Sequence, residues 1–210
     1  MKIEVFTFNS FAENTYLLID EYSKVCIVID AGCSTAAEKS KLESYIKDNS
    51  LTLKRVLNTH LHFDHWAGNA FLYQTFGVKP EASEKDEFLL GKYLGDAERL
   101  GFNVELQPIG GHLSHGDVIR EGSLELHVIE VPGHSPGGLA FHCPNEGVLF
   151  SGDTLFQSSN GRTDLSGGSY ADIVNSISKR LLTLPEDTIV YPGHGGTTTI
   201  GYEKQYNPYL

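Results

Sequence analysis

The sequence predicts an α/β protein in which mixed β-sheets carry helices on their outer faces. Three observations lead there. Apolar residues recur in short runs of strand character, and these runs follow one another in hairpin-like groups. Only a few segments carry a helical period. Those helices fall singly and at long intervals, whereas a doubly wound parallel sheet needs one after nearly every strand. Strands are expected over 2–8, 14–19, 25–30, 53–58, 104–109, 124–130, 138–143, 147–151 and 188–191, and helices over 35–49, 66–77, 83–100 and 169–183.

The opening run, Met1 to Phe6, alternates apolar and polar residues as a half-buried strand does. Val25-Cys26-Ile27-Val28-Ile29 is apolar throughout, which suits a central strand and makes Cys26 a small core residue. Ser34 and Thr35 are good N-caps for the helix that follows, and Asp48-Asn49-Ser50 ends it with poor helix formers. Over 83–100, Phe88, Leu89, Tyr93 and Leu94 share one helical face and charged residues the other, which reads as a packing face. No Pro/Ser-rich linker, low-complexity tract, charge block or clear internal repeat divides the chain, so residues 1–210 are expected to form a single domain.

Composition narrows the function classes. Of 210 residues, 40% are apolar and 20% charged, enough for a substantial core. The formal net charge of −11 opposes nonspecific attraction to nucleic acid or anionic lipid, and no Lys/Arg cluster supplies a local positive footprint. Three cysteines, Cys26, Cys33 and Cys143, lie outside any C-x-x-C pair. Unpaired thiols and the absence of a long apolar segment lead us to expect a cytoplasmic protein with no membrane or nucleic-acid partner.

One stretch carries the chemistry. Thr59-His60-Leu61-His62-Phe63-Asp64-His65 packs three imidazoles and a carboxylate into six residues. Such groups side by side repel when charged and are costly to bury when neutral and unpartnered; a divalent cation removes both problems. The strand before them leaves His60 and His62 two residues apart in extended backbone, pointing the same way and able to grip one metal. Asp64 and His65 arrive as the chain turns into a helix near Trp66, point elsewhere and suit a second metal close by. Three more candidates sit where apolar strands run out into Gly/Pro loops: His134 in Pro132-Gly133-His134-Ser135-Pro136-Gly137, Asp153 after Phe150-Ser151-Gly152, and His194 in Tyr191-Pro192-Gly193-His194-Gly195. His112, His115, His127 and His142 lack that strand-end context and read as ordinary polar residues. Asp30, ending an apolar strand, is either a partner that orients a ligand histidine or a turn aspartate. Arg162 is expected in a structural ion pair, Trp66 beneath the metal loop and Tyr191 in the core.

Taken in order, His60-x-His62-x-Asp64-His65, Gly133-His134-Ser135-Pro136-Gly137, Gly152-Asp153-Thr154-Leu155-Phe156 and Gly193-His194 resemble the metallo-β-lactamase superfamily across nearly the whole chain. Gly161-Arg162-Thr163-Asp164-Leu165, Thr197 to Gly201 and Asn207-Pro208 resemble short, single-domain members of its glyoxalase II (hydroxyacylglutathione hydrolase) branch. The resemblance implies a four-layer αββα sandwich with metals at one edge. Carried over by position, His60, His62 and His134 would hold one metal and Asp64, His65 and His194 a second, with Asp153 bridging both. Zinc is the expected cofactor, two ions per chain, with iron or manganese as options. The implied activity is metal-dependent hydrolysis of a thioester or related small acyl substrate, S-2-hydroxyacylglutathione among them, by water activated between the cations. Asp64 and Asp153 are the carboxylates expected to assist proton transfer. Two-domain glyoxalase II enzymes continue into a helical region that supplies much of the glutathione contact, whereas this chain stops at Leu210. The position after the His134 motif, often a second histidine, is Gly138. The alternatives on this scaffold are a mononuclear iron persulfide dioxygenase, a lactonase and an RNA-processing nuclease. Asp153 argues against a true β-lactamase, which commonly lacks that bridging carboxylate.

Overall fold

The computed structural model describes residues 1–210 and contains two six-stranded sheets packed face to face. The first half of the chain forms β1 (Lys2–Phe8), β2 (Glu13–Ile19), β3 (Val25–Ile29), α1 (Ala36–Asp48), β4 (Thr52–Leu57), α2 (Phe63–Trp66), α3 (Asn69–Phe76), β5 (Pro80–Ala82), α4 (Glu87–Lys92), α5 (Leu94–Arg99) and β6 (Gly111–His112). The second half adds β7 (Val118–Glu121), β8 (Leu124–Glu130), β9 (Leu139–Cys143), β10 (Val148–Gly152), β11 (Leu155–Phe156), β12 (Ser159–Asn160), α6 (Tyr170–Ser176), β13 (Ile189–Pro192), β14 (Thr198–Thr199) and α7 (Ile200–Tyr206). Sheet order is β1-β2-β3-β4-β5-β6 in one and β14-β13-β10-β9-β8-β7 in the other, with β11-β12 a separate hairpin. Both large sheets are mixed: β3 to β6 pair in parallel and so do β10 and β13, while the remaining neighbours are antiparallel.

Three apolar layers explain the stacking. Between the sheets, Tyr16, Leu18, Ile27, Ile29 and Leu57 face Leu126, Val128, Leu139, Phe141 and Phe150. Outside the first sheet, Leu42 and Ile46 of α1 and Leu72 of α3 cover Leu17, Val28 and Val56. Outside the second, Ile173, Ile177, Leu181 and Ile200 cover Ala140, Leu149 and Val190. Period-2 alternation sends successive residues of one strand to opposite faces, so each central strand feeds two cores. The result is the αββα sandwich. No helix is long and apolar enough to cross a membrane.

Most elements form where the sequence placed them, α1 with a complete capping box between Thr35 and Glu38. Three differ. The strand expected over 104–109 does not form: Val104 and Ile109 pack singly against a small cluster around Leu61, Trp66 and Leu89, and Pro108 has no N–H to give a ladder. The helix expected over 66–77 breaks at Gly68, whose N–H turns to Ala31 O at 2.7 Å. The helix expected over 83–100 is cut into a 3₁₀ turn, α4 and α5, with bends at Asp86 and Tyr93 and glycines at 91 and 95 within the weakened helices. The short strands β5, β6 and β7 and the C-terminal β14–α7 pair are too short to announce themselves by period.

The bend at Asp86 has a use. Its side chain is fully buried and accepts hydrogen bonds from Leu61 N (3.3 Å), Ser135 Oγ (2.7 Å) and Gly137 N (2.6 Å). One carboxylate thus joins the loop after β4 to the loop before β9, the two loops that carry His60, His62 and His134. Replacing Asp86 with Ala strands buried donors and is expected to lower stability by about 2–4 kcal/mol. A urea titration should show the midpoint falling with an unchanged slope; a midpoint within error of the parent would mean that the three bonds contribute nothing.

Candidate metal centre

The seven side chains singled out in the sequence converge at one edge of the sandwich, where strands from both sheets run out into loops. Extended backbone through His62 and the one-turn helix α2 set His60 and His62 on one side and Asp64 and His65 on the other. His134 comes from the β8–β9 loop, Asp153 from the end of β10 and His194 from the end of β13. Two glycines permit this crowding. Gly152 lies in the left-handed region (φ +51°) against Thr59, turning the chain so that Asp153 enters the site. A Cβ at Gly193 would overlap Asp153 Oδ1 and the ring of His65.

Two donor triads result. Ligand-capable atoms of His60, His62 and His134 lie within 4.8 Å of one another, as do those of Asp64, His65 and His194. His62 Nδ1 is 2.8 Å from His134 Nε2, and His65 Nε2 is 3.2 Å from His194 Nε2. Asp153 stands between the triads. Its Oδ2 is 3.6 Å from His134 Nε2 and 3.5 Å from His194 Nε2, and its Oδ1 is 3.5 Å from His65 Nε2. Asp64 Oδ2 is 3.3 Å from His194 Nε2 and 3.6 Å from His65 Nε2.

Partners outside the cluster decide which nitrogen faces it. His134 Nδ1 donates to Arg162 O (2.7 Å) and His194 Nδ1 to Phe11 O (3.0 Å), since a carbonyl only accepts. His65 Nδ1 donates to Asp30 Oδ2 (3.0 Å). Thr59 Oγ1 gives its proton to Asp30 Oδ2 (2.6 Å) and so accepts from His60 Nδ1 (3.1 Å). All four rings therefore turn Nε2 inward, and the tautomer is set by the outer bond. His62 is the exception and presents Nδ1.

These residues fit divalent cations. His60 Nε2 and Asp153 Oδ1 are buried without a hydrogen-bond partner, an expensive condition that a cation relieves. Imidazole nitrogens and carboxylate oxygens without thiolate suit zinc, iron or manganese. The titration pattern agrees. Burial, reinforced by the neighbouring imidazoles, holds His60 well below the usual imidazole range and His62 at about 3. His65 is also buried, yet Asp64, Asp153 and Asp30 around it push its pKa well above the ordinary value. Burial opposes ionisation of Asp64 and Asp153, but His65 beside them holds both carboxyls below the usual range. The acidic side of the cluster thus favours positive charge, whether a proton on His65 or a cation.

Other sequence expectations resolve as follows. Asp30 serves both suggested purposes, taking Thr59 N (2.7 Å) at the strand end and orienting His65. Arg162 pairs with Asp164 at 2.7 and 2.8 Å, Trp66 is buried with Nε1 on Leu61 O, and Tyr191 packs against Tyr16 and Phe150. His112 and His127 bond Glu87 and Glu125, and neither they nor His115 or His142 join the cluster. Sequence reading missed Thr59, Asp86 and Asn14. Asn14 clamps the His194 loop, its Nδ2 donating to Pro192 O (3.1 Å) and Gly195 O (2.9 Å) and its backbone N to Gly193 O (2.8 Å). Only the polar Glu13-Asn14-Thr15 opening an otherwise apolar strand hinted at it. Above the triads lies a cavity of about 550 Å³ with His62, Asp64, His134, Asp153 and His194 in its floor and Phe11, Phe63, Tyr93, Leu100, Leu165 and Arg162 around it.

Comparison with known proteins places this geometry. A family model described as the metallo-beta-lactamase superfamily matches residues 10–194. Hydroxyacylglutathione hydrolase GloC of Haemophilus influenzae is 37% identical, with 100% of this chain and 98% of that protein aligned. The crystal structure of BLEG-1, a B3 metallo-beta-lactamase, superposes with a TM-score of 0.90 at 34% identity over 100% of this chain and 99% of that one. TTHA1623, solved in a di-iron-bound form, gives 0.86 at 35% identity over 99% and 100%. With the family pattern running from the turn before β2 to the last clustered histidine, and full-length relatives on both counts, the chain belongs to the metallo-β-lactamase superfamily, whose members are typically metal-dependent hydrolases.

Proposed function

We propose that this chain is a binuclear metal-dependent hydrolase of small thioesters. The observation that carries the reading is the complete pair of donor triads with Asp153 between them, opening into a cavity large enough for a small acyl substrate. His60, His62 and His134 would hold one divalent cation and Asp64, His65 and His194 a second, with Asp153 reaching both. When bound, such a pair polarises a carbonyl and brings the pKa of water towards neutrality.

The chain's own groups favour a good leaving group. His65 holds Asp64 and Asp153 below the usual carboxylate range, so any proton given to a departing amine or alkoxide must first be taken from the attacking water. A thiol, with an ordinary pKa near 8.5, leaves as thiolate without that help. Asp64 lines the cavity and meets His65 and His194, so it is placed to take the proton lost by attacking water. Asp30 and Thr59 keep His65 and His60 oriented while this happens. The name of the 37%-identical relative, a hydroxyacylglutathione hydrolase, supports thioesters as the class to test first.

Three outcomes are expected. Metal analysis of the purified protein should find about two divalent ions per chain; a single iron would redirect the reading to the persulfide dioxygenase class. Asp153→Ala should lower metal content and thioester turnover by at least a hundredfold with the circular dichroism melt nearly unchanged, and chelation should do the same, because the three apolar layers contain no clustered ligand. Full activity of the variant would remove Asp153 from the site. Lastly, the raised pKa of His65 means that the metal-free protein carries a proton there at pH 7. Metal binding must displace it, so affinity should rise with pH and roughly one proton should be released as the second triad fills. Calorimetry in buffers of different ionisation enthalpy measures that release, and identical heats in all buffers would contradict it.

A further inference from the structure

The cavity has a charged floor and an apolar wall, and the wall bears on what part of a substrate lies beside the reacting carbonyl. Phe11, Phe63, Tyr93, Leu100 and Leu165 line it. Phe63 meets Phe11 edge-on at 5.7 Å, and Phe102 braces both from behind at 4.9 and 5.5 Å, which makes a rigid aromatic wedge. Leu100 and Phe11 remain 54% and 43% exposed and line the same cavity as the clustered histidines and aspartates.

Charge points the same way. Arg162 is the only arginine or lysine among the lining residues, and both of its hydrogen bonds go to the Asp164 carboxylate. Asp96, the one acid of the rim, is paired with Arg99 at 2.8 Å. The other acids at the cavity are Asp64 and Asp153. A substrate arm bearing carboxylates would lie along a wall with no unpaired lysine or arginine to meet it. A neutral apolar arm would instead cover the wedge and be stabilised in proportion to the area it buries.

Resting on the thioester reading above, we infer that the preferred substrate is a thioester whose arms are uncharged and apolar, an alkyl or aryl acyl group on a neutral thiol, favoured over the same acyl group on glutathione with its two carboxylates. The test uses the metal-loaded enzyme and acetyl, butyryl and hexanoyl thioesters of N-acetylcysteamine and of glutathione. Across the neutral series kcat/KM should climb about three- to fourfold per methylene, and at equal acyl length the neutral ester should lead by tenfold or more. Leu100→Ser should flatten the climb and Leu100→Lys should narrow the gap to the glutathione esters; Leu100 is half-exposed at the end of α5, so neither change threatens folding. In parallel, calorimetry compares the hexyl thioether of N-acetylcysteamine with S-hexylglutathione, which bind without reacting. A flat acyl series, a tenfold preference for the glutathione compounds in either assay, or no binding of either thioether overturns the inference while leaving thioester hydrolysis standing wherever turnover is seen. Tighter binding of the neutral thioether with no thioester turned over upholds the apolar arm and sinks the hydrolase reading.

Discussion

Asp30 is the point from which both donor triads are suspended. Its backbone sits in the left-handed region (φ +52°), a conformation that costs a non-glycine residue something and that aspartate tolerates better than most. The strain aims one buried carboxylate at Thr59 N, Thr59 Oγ1 and His65 Nδ1 together. Through the threonine hydroxyl it sets the tautomer of His60; directly, it sets His65. Thr59 O in turn accepts Leu139 N of β9, so the strand end of one sheet is stapled to the first residue of a strand in the other. The edge where the sheets meet and the place where the imidazoles meet are held by the same few atoms.

Electrostatic balance follows from that arrangement. Three aspartates, 30, 64 and 153, crowd His65, while His60 and His62 lie among imidazoles. Burial and mutual repulsion keep the latter two neutral, and the carboxylates force the former to hold its proton. The cluster is therefore polarised along its length, neutral nitrogen at one end and carboxylate-rich at the other. The neutral end leaves His60 Nε2 and the middle leaves Asp153 Oδ1 without partners. These costs are borne at the rim, away from the three apolar cores, which is why the fold and the site are separable in energy although they share strand ends.

The clustered histidines and aspartates were legible because their spacing is local. Two imidazoles two residues apart at a strand end share a direction whatever the rest of the chain does, and His134, Asp153 and His194 each follow an apolar strand into glycine. The central strands were legible for the same reason of period. Asp86 was not, because what makes it matter is three donors from loops 25 to 51 residues away, and a charged run over 84–87 looks like solvated surface. Asn14 failed to show for a similar reason, its partners lying beyond residue 190. The strand expected over 104–109 had the right residues, but Pro108 and the pull of the cluster around Trp66 sent its apolar side chains one by one into a satellite core. Helix 83–100 had the right face, but two glycines and the demand for Asp86 at a bend divided it.

That division of legibility has a physical source. The floor of the cavity is built from the ends of long central strands, whose positions are over-determined by two sheets and whose residues need particular chemistry. The wall is built from the Phe11 loop, the one-turn α2, the broken α4 and α5 and the segment around Arg162, and its helical part is held by small clusters of four and three buried residues. These clusters are separate from the three large apolar layers that hold the sandwich together. The donor set is therefore written in residues that any reader of the sequence can find. The cavity wall is written in a handful of exposed apolar side chains that, seen alone, look like ordinary surface, and that only folding gathers over the carboxylates.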